Sequence, residues 1–298
     1  MASELLTLGL VQMAASDDKA DNVTKALRGI REAAKRGARV VCLQELFASK
    51  YFCQSEDAAM FDLGEPIPGP TTQAVSEVAR ELGVVVVTPV FEKRAAGVYH
   101  NSSVVIGTQG EQVGIYRKMH IPDDPLFYEK FYFTPGDLGF VAYETTYCVV
   151  GPLICWDQWY PEAARLTALR GANVLFYPTA IGWHPSEKAK HGADQLAAWQ
   201  TMQKSHAIAN GVFVVAVNRV GHEGPPDGGL DFWGHSFVAD PFGVVLAEAG
   251  EGEEVLVVEC DLSRQEEVRR GWPFLRDRRI DAYEGIQERL LDRDRSSR

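Results

Sequence analysis

The two halves of this 298-residue chain repeat one pattern of helix, glycine and valine-rich strand, and this repetition limits the folds open to it. Three segments of the first half recur in the same order and at nearly one offset: 36–40 as 170–174, 83–87 as 211–215, and 99–105 as 232–238. In the third pair each segment contains a serine with a glycine seven residues after it, Gly110 in the first half and Gly243 in the second. Such patterns recur by chance in α/β proteins, but the matched offsets favour two similar halves.

Helices and buried strands alternate in the first half. Apolar residues at helical spacing predict a helix over 21–35 and a second helix that begins near Thr71, and nearly continuous apolar strands follow them at 39–43 and 84–87. Halves of this kind stack sheet against sheet with their helices outside. We therefore expect an α/β fold that is a four-layer αββα sandwich of two similar halves, with the site near their pseudo-symmetry axis.

Composition indicates a large core and argues against several classes of partner. With 46% hydrophobic residues and no linker, the chain is expected to form a single domain over 1–298, with roughly 270–298 as a C-terminal arm. No run of about eighteen apolar residues occurs. A net charge of −11 disfavours nucleic acid and anionic membranes, although ordinary solubility also explains such a charge. We expect no nucleic-acid partner and no membrane partner.

Cysteine usage and missing motifs bear on the compartment and on cofactors. The five cysteines form no CxxC pair, and no secretory leader precedes the first apolar strand, which predicts reduced thiols in the cytoplasm. The sequence contains no HExxH motif, no EF-hand loop and no glycine-rich phosphate-binding loop of either common type. We therefore expect neither a metal nor a nucleotide cofactor.

One cysteine, Cys155, lies between the apolar run 148–154 and a helix-opening stretch at 159–165. At a strand-to-helix junction the backbone N–H groups and the helix dipole favour a thiolate, lower the pKa of the cysteine and supply donors for a developing oxyanion. The alternative is a small buried hydrophobic residue, which most lone cysteines are. We take Cys155 as a candidate nucleophile.

Glu45 and Lys118 are candidate partners for this thiol because each follows an apolar strand. Glu45 comes directly after 41–44, and Lys118 lies between a strand and a proline-bounded loop at 121–125. Catalytic groups of α/β sheets commonly lie at such strand ends. A glutamate can act as general base toward a thiol, and a cation can hold the oxyanion formed when a thiolate attacks a carbonyl. The ordinary alternatives are a surface glutamate and a solvated lysine.

Together these three positions resemble the nitrilase superfamily of carbon–nitrogen hydrolases. That superfamily has a glutamate after an apolar strand, a lysine in a Tyr-Arg-Lys-like segment and a cysteine that opens Cys-Trp-Asp or Cys-Tyr-Asp, and all three occur here in that order. The resemblance covers essentially the whole chain, and further matching segments are 101–102, 133–137, 161–165 and 234–236. Each motif alone is weak, whereas the set is highly specific.

The resemblance implies the four-layer αββα fold and a role for each residue. Cys155 would be the nucleophile, Glu45 the general base and then the general acid, and Lys118 the stabiliser of the oxyanion. Glu129 matches a second glutamate that relatives place beside these three, and His120 matches a histidine that lines the pocket of some carbamoylases. The alternative for Glu129 is a solvated loop carboxylate, and for His120 a hydrogen-bonded core histidine.

The segments 155–162 and 176–182 resemble the branch of the superfamily that hydrolyses N-carbamoylputrescine. Relatives with carboxylate-bearing substrates tend to carry arginine or histidine where this chain has Gln158 and Trp159, so an anionic ureido acid is a poorer candidate. A cationic ureido or amide substrate is expected instead. The candidate binding residues are His120, Trp156, Asp124, Asp157, Thr179 and Glu187. The ordinary alternative for each carboxylate among them, and the more common role of such residues, is a loop cap or a surface charge.

The expected function is that of an amidohydrolase that forms a thioester-type acyl-enzyme on Cys155 and releases putrescine, carbon dioxide and ammonia. The nearest alternative is a related thiol amidase acting on another carbamoyl amine or a primary amide. A catalytically silent binding module of the same fold is more distant. Aromatic and charged residues at 272–279, together with the resemblance, predict a homo-oligomer, a dimer or larger, although this segment could also clasp its own subunit.

Overall fold

Helices and strands alternate along residues 5–291, the part of the chain that this computed structural model describes. The first half contains β1 (Leu5–Gln12), α1 (Lys19–Lys35), β2 (Val40–Leu43), α2 (Pro70–Leu82), β3 (Val85–Ala95), β4 (Val98–Ile106), β5 (Gln112–Arg117) and α3 (Glu129–Tyr132). The helix predicted over 21–35 is α1, which begins two residues earlier because the Asp18 carboxylate accepts the N–H groups of Ala20 and Asp21.

The second half supplies the remaining regular elements. It contains β6 (Tyr143–Glu144), β7 (Val149–Pro152), α4 (Pro161–Leu169), β8 (Val174–Pro178), β9 (Gly182–Trp183), α5 (Pro185–Asn210), β10 (Phe213–Val217), β11 (Val220–Glu223), β12 (Leu230–Trp233), β13 (Phe237–Ala239), β14 (Val245–Glu248), β15 (Glu254–Asp261) and α6 (Ser263–Gly271). Short 3₁₀ helices lie at Phe52–Gln54, Ala58–Leu63, Cys155–Trp159, Ile280–Ala282 and Glu284–Gln287.

Two six-stranded sheets share one topology. The first has the order β15-β1-β2-β3-β4-β5, and the second, read from its opposite edge, has the order β6-β7-β8-β10-β13-β14. In each sheet the second, third and fourth strands are parallel and the outer pairs are antiparallel. The prediction of two similar halves is therefore confirmed.

The sheets pack face to face, and helices cover their outer faces. Between the sheets Leu8 and Val87 of the first share a core with Phe176 and Val215 of the second. On the outer faces, apolar residues of α1 and α2 pack against the first sheet, and those of α4 and α5 pack against the second. Because each sheet buries both faces, its central strands are almost wholly apolar. The predicted four-layer αββα sandwich is confirmed.

The recurring glycines have left-handed backbone in both halves. Gly37 and Gly171 have φ of +98° and +97°. Gly83 and Gly211, which end α2 and α5, have φ of +64° and +56°. A side chain beyond Cα makes this conformation unfavourable, so the tight exit from each helix into the next strand favours glycine.

The third recurring segment differs between the halves. In the first half 99–105 lies wholly in β4. In the second half Phe232 and Trp233 belong to β12, which pairs with β11 and β9 in a separate three-stranded sheet. Positive φ at Gly234 and His235 turns the chain before β13 joins the large sheet.

Beyond α6 the described chain contains only turns and two short 3₁₀ helices. The single domain with an arm over roughly 270–298 stays a prediction, and residues 292–298 of that arm lie outside the described residues. The five cysteines are all buried and unpaired. No helix within residues 5–291 is both long and apolar enough to cross a membrane.

Substituting Gly171 tests the strain argument. An added Cβ would meet no atom within 4 Å at Gly171 or at Gly250, but only Gly171 has a positive φ. We expect Gly171→Ala to lower the free energy of unfolding by about 1–2 kcal/mol from backbone strain alone. Gly250→Ala should leave the free energy of unfolding unchanged or raise it by a few tenths of a kcal/mol. Urea unfolding of both variants checks this, and equal midpoints would contradict it.

Candidate active site

Three buried side chains meet where strands of the two sheets end. Glu45 follows β2, Lys118 follows β5, and Cys155 follows β7. Their exposed fractions are 0%, 1% and 5%. The three residues proposed from sequence therefore lie in the dry interior, where charges interact strongly and unpaired charge is costly.

The Lys118 ammonium is held between two carboxylates. Its Nζ lies 2.8 Å from Oε1 of Glu45 and 2.6 Å from Oε2 of Glu129, which is 1% exposed. Burial alone disfavours the charged lysine, but attraction to Glu129 and Glu45 outweighs it and raises the pKa of Lys118 well above its usual value. The ammonium has three N–H donors, and these two contacts leave one for another acceptor.

One oxygen of Glu45 is fixed and the other is free. Asn101 donates from Nδ2 to Oε1 of Glu45 at 2.7 Å, so this oxygen receives hydrogen bonds from both Asn101 and Lys118. Oε2 is buried and receives no hydrogen bond from any described residue. A carboxylate oxygen without a donor has its lone pairs open to accept a proton, which suits proton transfer.

Cys155 begins a 3₁₀ helix with a strained backbone. Its φ is +40°, in the left-handed region that residues with side chains rarely adopt. The sharp turn from β7 into the 3₁₀ helix directs the thiol toward the inter-sheet site, where Sγ lies 3.9 Å from the carbonyl oxygen of Ala180. The junction predicted from sequence is present, but it leads into a 3₁₀ helix and α4 begins only at Pro161.

The protonation state of Cys155 differs from the expectation from sequence. Burial raises the pKa of the thiol well above its usual value, Glu45 and Glu129 raise it further, and Lys118 lowers it. The expected thiolate-favouring effect of a helix N-terminus is outweighed by loss of water and by nearby carboxylates. The resting cysteine is therefore a neutral thiol that requires a base.

Glu129 has a second partner that the sequence did not reveal. The hydroxyl of Tyr51 donates to its Oε1 at 2.7 Å. Burial raises the pKa of Glu129 to about 7, while Lys118 and Tyr51 favour its ionised form. Tyr51 lies six residues after Glu45 in a loop, and no local pattern marks it as a partner of Glu129.

Cys155 opens onto a cavity of about 340 Å³. Nine of its lining residues provide carboxyl, indole, amide, imidazole or thiol groups: Asp124, Glu129, Glu187, Trp156, Trp159, Trp233, Gln195, His184 and Cys155. None of the described residues that line it is lysine or arginine. Residues 5–291 contain no group of three or more His, Cys, Asp or Glu side chains arranged to hold a metal. The cavity is acidic and aromatic.

Three of the predicted binding residues do not line this cavity. Asp157 is fully buried, and its carboxylate accepts hydrogen bonds from the Tyr116 hydroxyl and the Ile154 N–H and bonds the His120 ring. His120 also stacks on Tyr160 with ring centroids 3.7 Å apart. Asp157 and His120 thus support the turn behind Cys155 rather than the cavity wall.

Thr179 and Gln158 also face away from the cavity. Thr179 is fully buried and donates to the Tyr177 carbonyl, so it lies outside the cavity lining, as Asp157 and His120 do, and substrate contact by these three residues stays a prediction. The side-chain oxygen of Gln158 accepts hydrogen bonds from two residues of α5, the closer being Trp199 at 2.7 Å. Gln158 therefore lies outside the cavity lining and Trp159 of that pair lies in it, so the expectation about anionic substrates stays a prediction.

Comparisons with known proteins identify relatives that match almost the whole chain. A sequence model described as carbon-nitrogen hydrolase matches residues 7–270. N-carbamoylputrescine amidase of Solanum lycopersicum is 44% identical over 287 residues, 94% of each chain. Citrullinase of Francisella tularensis subsp. tularensis is 38% identical, covering 94% of this chain and 98% of its own. A carbon-nitrogen hydrolase structure from Helicobacter pylori G27 has a TM-score of 0.93 and 47% identity, covering 96% of this chain and all of the other.

Proposed function

Since this chain belongs to the carbon–nitrogen hydrolase family of the nitrilase superfamily, and is thus a hydrolase of non-peptide carbon–nitrogen bonds, we propose that it cleaves N-carbamoylputrescine. The products would be putrescine, carbon dioxide and ammonia. One observation carries the proposal: the thiol of Cys155 opens onto an acidic, aromatic cavity that Glu129 also lines, and Glu129 bonds the Lys118 ammonium that is shared with Glu45.

In the first step, Glu45 acts as the general base. Because burial keeps Cys155 as a neutral thiol, its proton passes to Oε2 of Glu45 as sulfur attacks the ureido carbonyl carbon. The third N–H of the Lys118 ammonium and the backbone N–H of Trp156 hold the oxyanion that forms. Glu129 keeps Lys118 in place by its 2.6 Å contact.

In the later steps, the same carboxyl group returns the proton. Glu45 protonates the terminal nitrogen, the bond between this nitrogen and the carbonyl carbon breaks, and ammonia departs. The carbamoyl group that stays on the sulfur of Cys155 still carries the putrescine chain. Glu45 then takes a proton from a water molecule while the water oxygen attacks the thioester carbonyl carbon. The carbon–sulfur bond breaks, and Glu45 returns the proton to the sulfur. The carbamate released loses carbon dioxide and leaves putrescine.

The charges of the cavity favour a cationic substrate. Asp124 and Glu187 can receive the distal ammonium, and Trp156 and Trp159 can pack against the methylene chain. Citrulline, the substrate implied by the name of the Francisella relative, carries a carboxylate as well as an ammonium. No described lysine or arginine lines the cavity to pair with that carboxylate, so carbamoylputrescine is the better fit. Another carbamoyl amine or primary amide is the alternative.

We also propose that the protein is a homo-oligomer, with a second copy covering α4 and α5. Leu166 and Leu169 of α4 are 47% and 48% exposed. With Tyr283 and Ile286 of the C-terminal segment they line a mostly apolar groove. Exposed apolar surface of this kind is typical of a subunit interface.

Hydrolysis of N-carbamoylputrescine tests the proposed function. The wild-type protein should release ammonia and putrescine in equal amounts, and Cys155→Ala should lower the rate by roughly a thousandfold or more, since the nucleophile is lost. Cys42→Ala, which truncates a buried thiol in the core between the sheets, is the matched control and should retain the wild-type rate per folded molecule.

The same ammonia assay separates the alternatives. Equal rates for wild type and Cys155→Ala would remove the nucleophile from the mechanism. Hydrolysis of citrulline or carbamoyl-β-alanine but not of carbamoylputrescine would overturn the substrate. Failure of the wild type to release ammonia from any ureido compound or primary amide would favour the silent binding module.

Neutralising a cavity carboxylate tests the ammonium contact. Asp124→Asn and Glu187→Gln should each raise KM for carbamoylputrescine about fivefold with kcat unchanged, because an exposed ion pair contributes up to about 1 kcal/mol. Asp123→Asn removes the same charge one residue away from the cavity wall and should leave KM unchanged. Steady-state kinetics check this. An equal rise of KM for a neutral amide would show that the ammonium is not what these residues recognise.

A further inference from the structure

A fully buried arginine of the second half holds the loop of the first half that carries Glu45. Arg219 is 0% exposed and lies two residues after β10. Its Nη2 lies 3.1 Å from the carbonyl oxygen of Glu45, 3.0 Å from that of Leu46 and 3.0 Å from that of Ser49. A guanidinium is planar and permanently charged, so it can serve several acceptors at once in a fixed geometry.

The loop that it holds is strained. Leu46, next to Glu45, has φ of +49°. A leucine in this region persists only where surrounding contacts impose it. The three carbonyls bonded by Arg219 flank this turn, so the arginine opposes its relaxation. The direction of the Glu45 side chain depends on that turn.

A series of hydrogen bonds also connects Arg219, through Glu223 and Tyr51, to Glu129. Nη1 of Arg219 bonds Oε1 of Glu223 at 2.7 Å, and Oε2 of Glu223 accepts the backbone N–H of Tyr51 at 2.6 Å. The Tyr51 hydroxyl then donates to Glu129, which bonds Lys118. Since Lys118 also bonds Glu45, the contacts form a closed ring around the site. Glu223 is 3% exposed, so the Arg219–Glu223 pair is shielded from water.

We propose that Arg219 and Glu223 are a positioning pair that aligns both carboxylates with the Lys118 ammonium and keeps one oxygen of Glu45 aimed at Cys155. Neither residue lines the cavity, so the pair acts through Glu45 and Tyr51 rather than on the substrate. This inference rests on the proposed roles of Glu45 and Cys155. The Arg219–Glu223 pair belongs to the second half and bonds backbone groups of the first, so it connects the two halves of the fold.

The titration of Glu129 gives a readout that a merely structural role would not move. The groups that act on it or respond to it are Lys118 after β5, Glu45 after β2, Tyr51 in the loop after Glu45, Cys53 in the 3₁₀ helix Phe52–Gln54, and Cys155 after β7. The Tyr51 hydrogen bond lowers the pKa of Glu129. If Tyr51 shifts, the pKa rises and Glu129 remains protonated to higher pH, which moves the acidic limb of the pH–rate profile upward.

Glu223→Gln and Arg219→Lys test the proposal. Each should lower kcat by roughly ten- to a hundredfold with KM within about twofold, since misplacement of reacting groups slows the chemical step. Each should also move the acidic limb of the kcat/KM profile to higher pH. Each should slow the alkylation of Cys155 by iodoacetamide, which is measured by peptide mass mapping. Glu92→Gln is the matched control: it alters a buried Arg117–Glu92 pair outside this ring and should change stability alone.

Each outcome decides one question. Variants that unfold at lower urea but keep the wild-type kcat, pH profile and alkylation rate per folded molecule would overturn the positioning role. The same changes in Glu92→Gln would overturn it as well. A wild type that hydrolyses no ureido substrate would defeat the proposed function, and the Cys155 alkylation rates would still decide whether the pair positions Glu45.

Discussion

A single buried ammonium shared by two buried carboxylates is the interaction on which this site depends. Lys118 lies within 2.8 Å of Glu45 and within 2.6 Å of Glu129, and all three are almost fully buried. Charges in such surroundings are tolerated only when they are paired. With one cation for two anions, the cluster tolerates the neutral thiol of Cys155 better than a thiolate, which would add a third negative charge.

The fold supplies this cluster from strand ends and strained turns. Glu45 follows β2 of the first sheet and Cys155 follows β7 of the second, both parallel strands of the sheet centres, and each strand exit has a residue with positive φ, Leu46 and Cys155. At Leu46 the turn is bonded by Arg219 across the interface between the halves. The catalysis proposed for this site, with a general base and preformed oxyanion contacts, would then require little rearrangement when a substrate enters.

The fold and the central residues could be predicted from sequence because their signals are local. Glu45, Lys118 and Cys155 each follow an apolar strand, and recurring glycines mark equivalent helix exits. Asp157 illustrates the limit: its place beside Cys155 suggested substrate contact, but its partners turn it into the interior. Arg219 and Tyr51 could not be found, since their bonds join loops far apart in sequence.

A double-mutant cycle between Lys118→Met and Glu129→Gln tests the shared ammonium most directly, with urea unfolding at neutral pH as the measurement. Lys118→Met leaves two buried carboxylates without their cation and should cost about 3–5 kcal/mol. Adding Glu129→Gln removes one of those charges, so the double variant should be more stable than the sum of the single effects by about 2–3 kcal/mol. Effects that add to within about 0.5 kcal/mol would show that the two groups are not electrostatically coupled and would contradict the central role of this ion cluster.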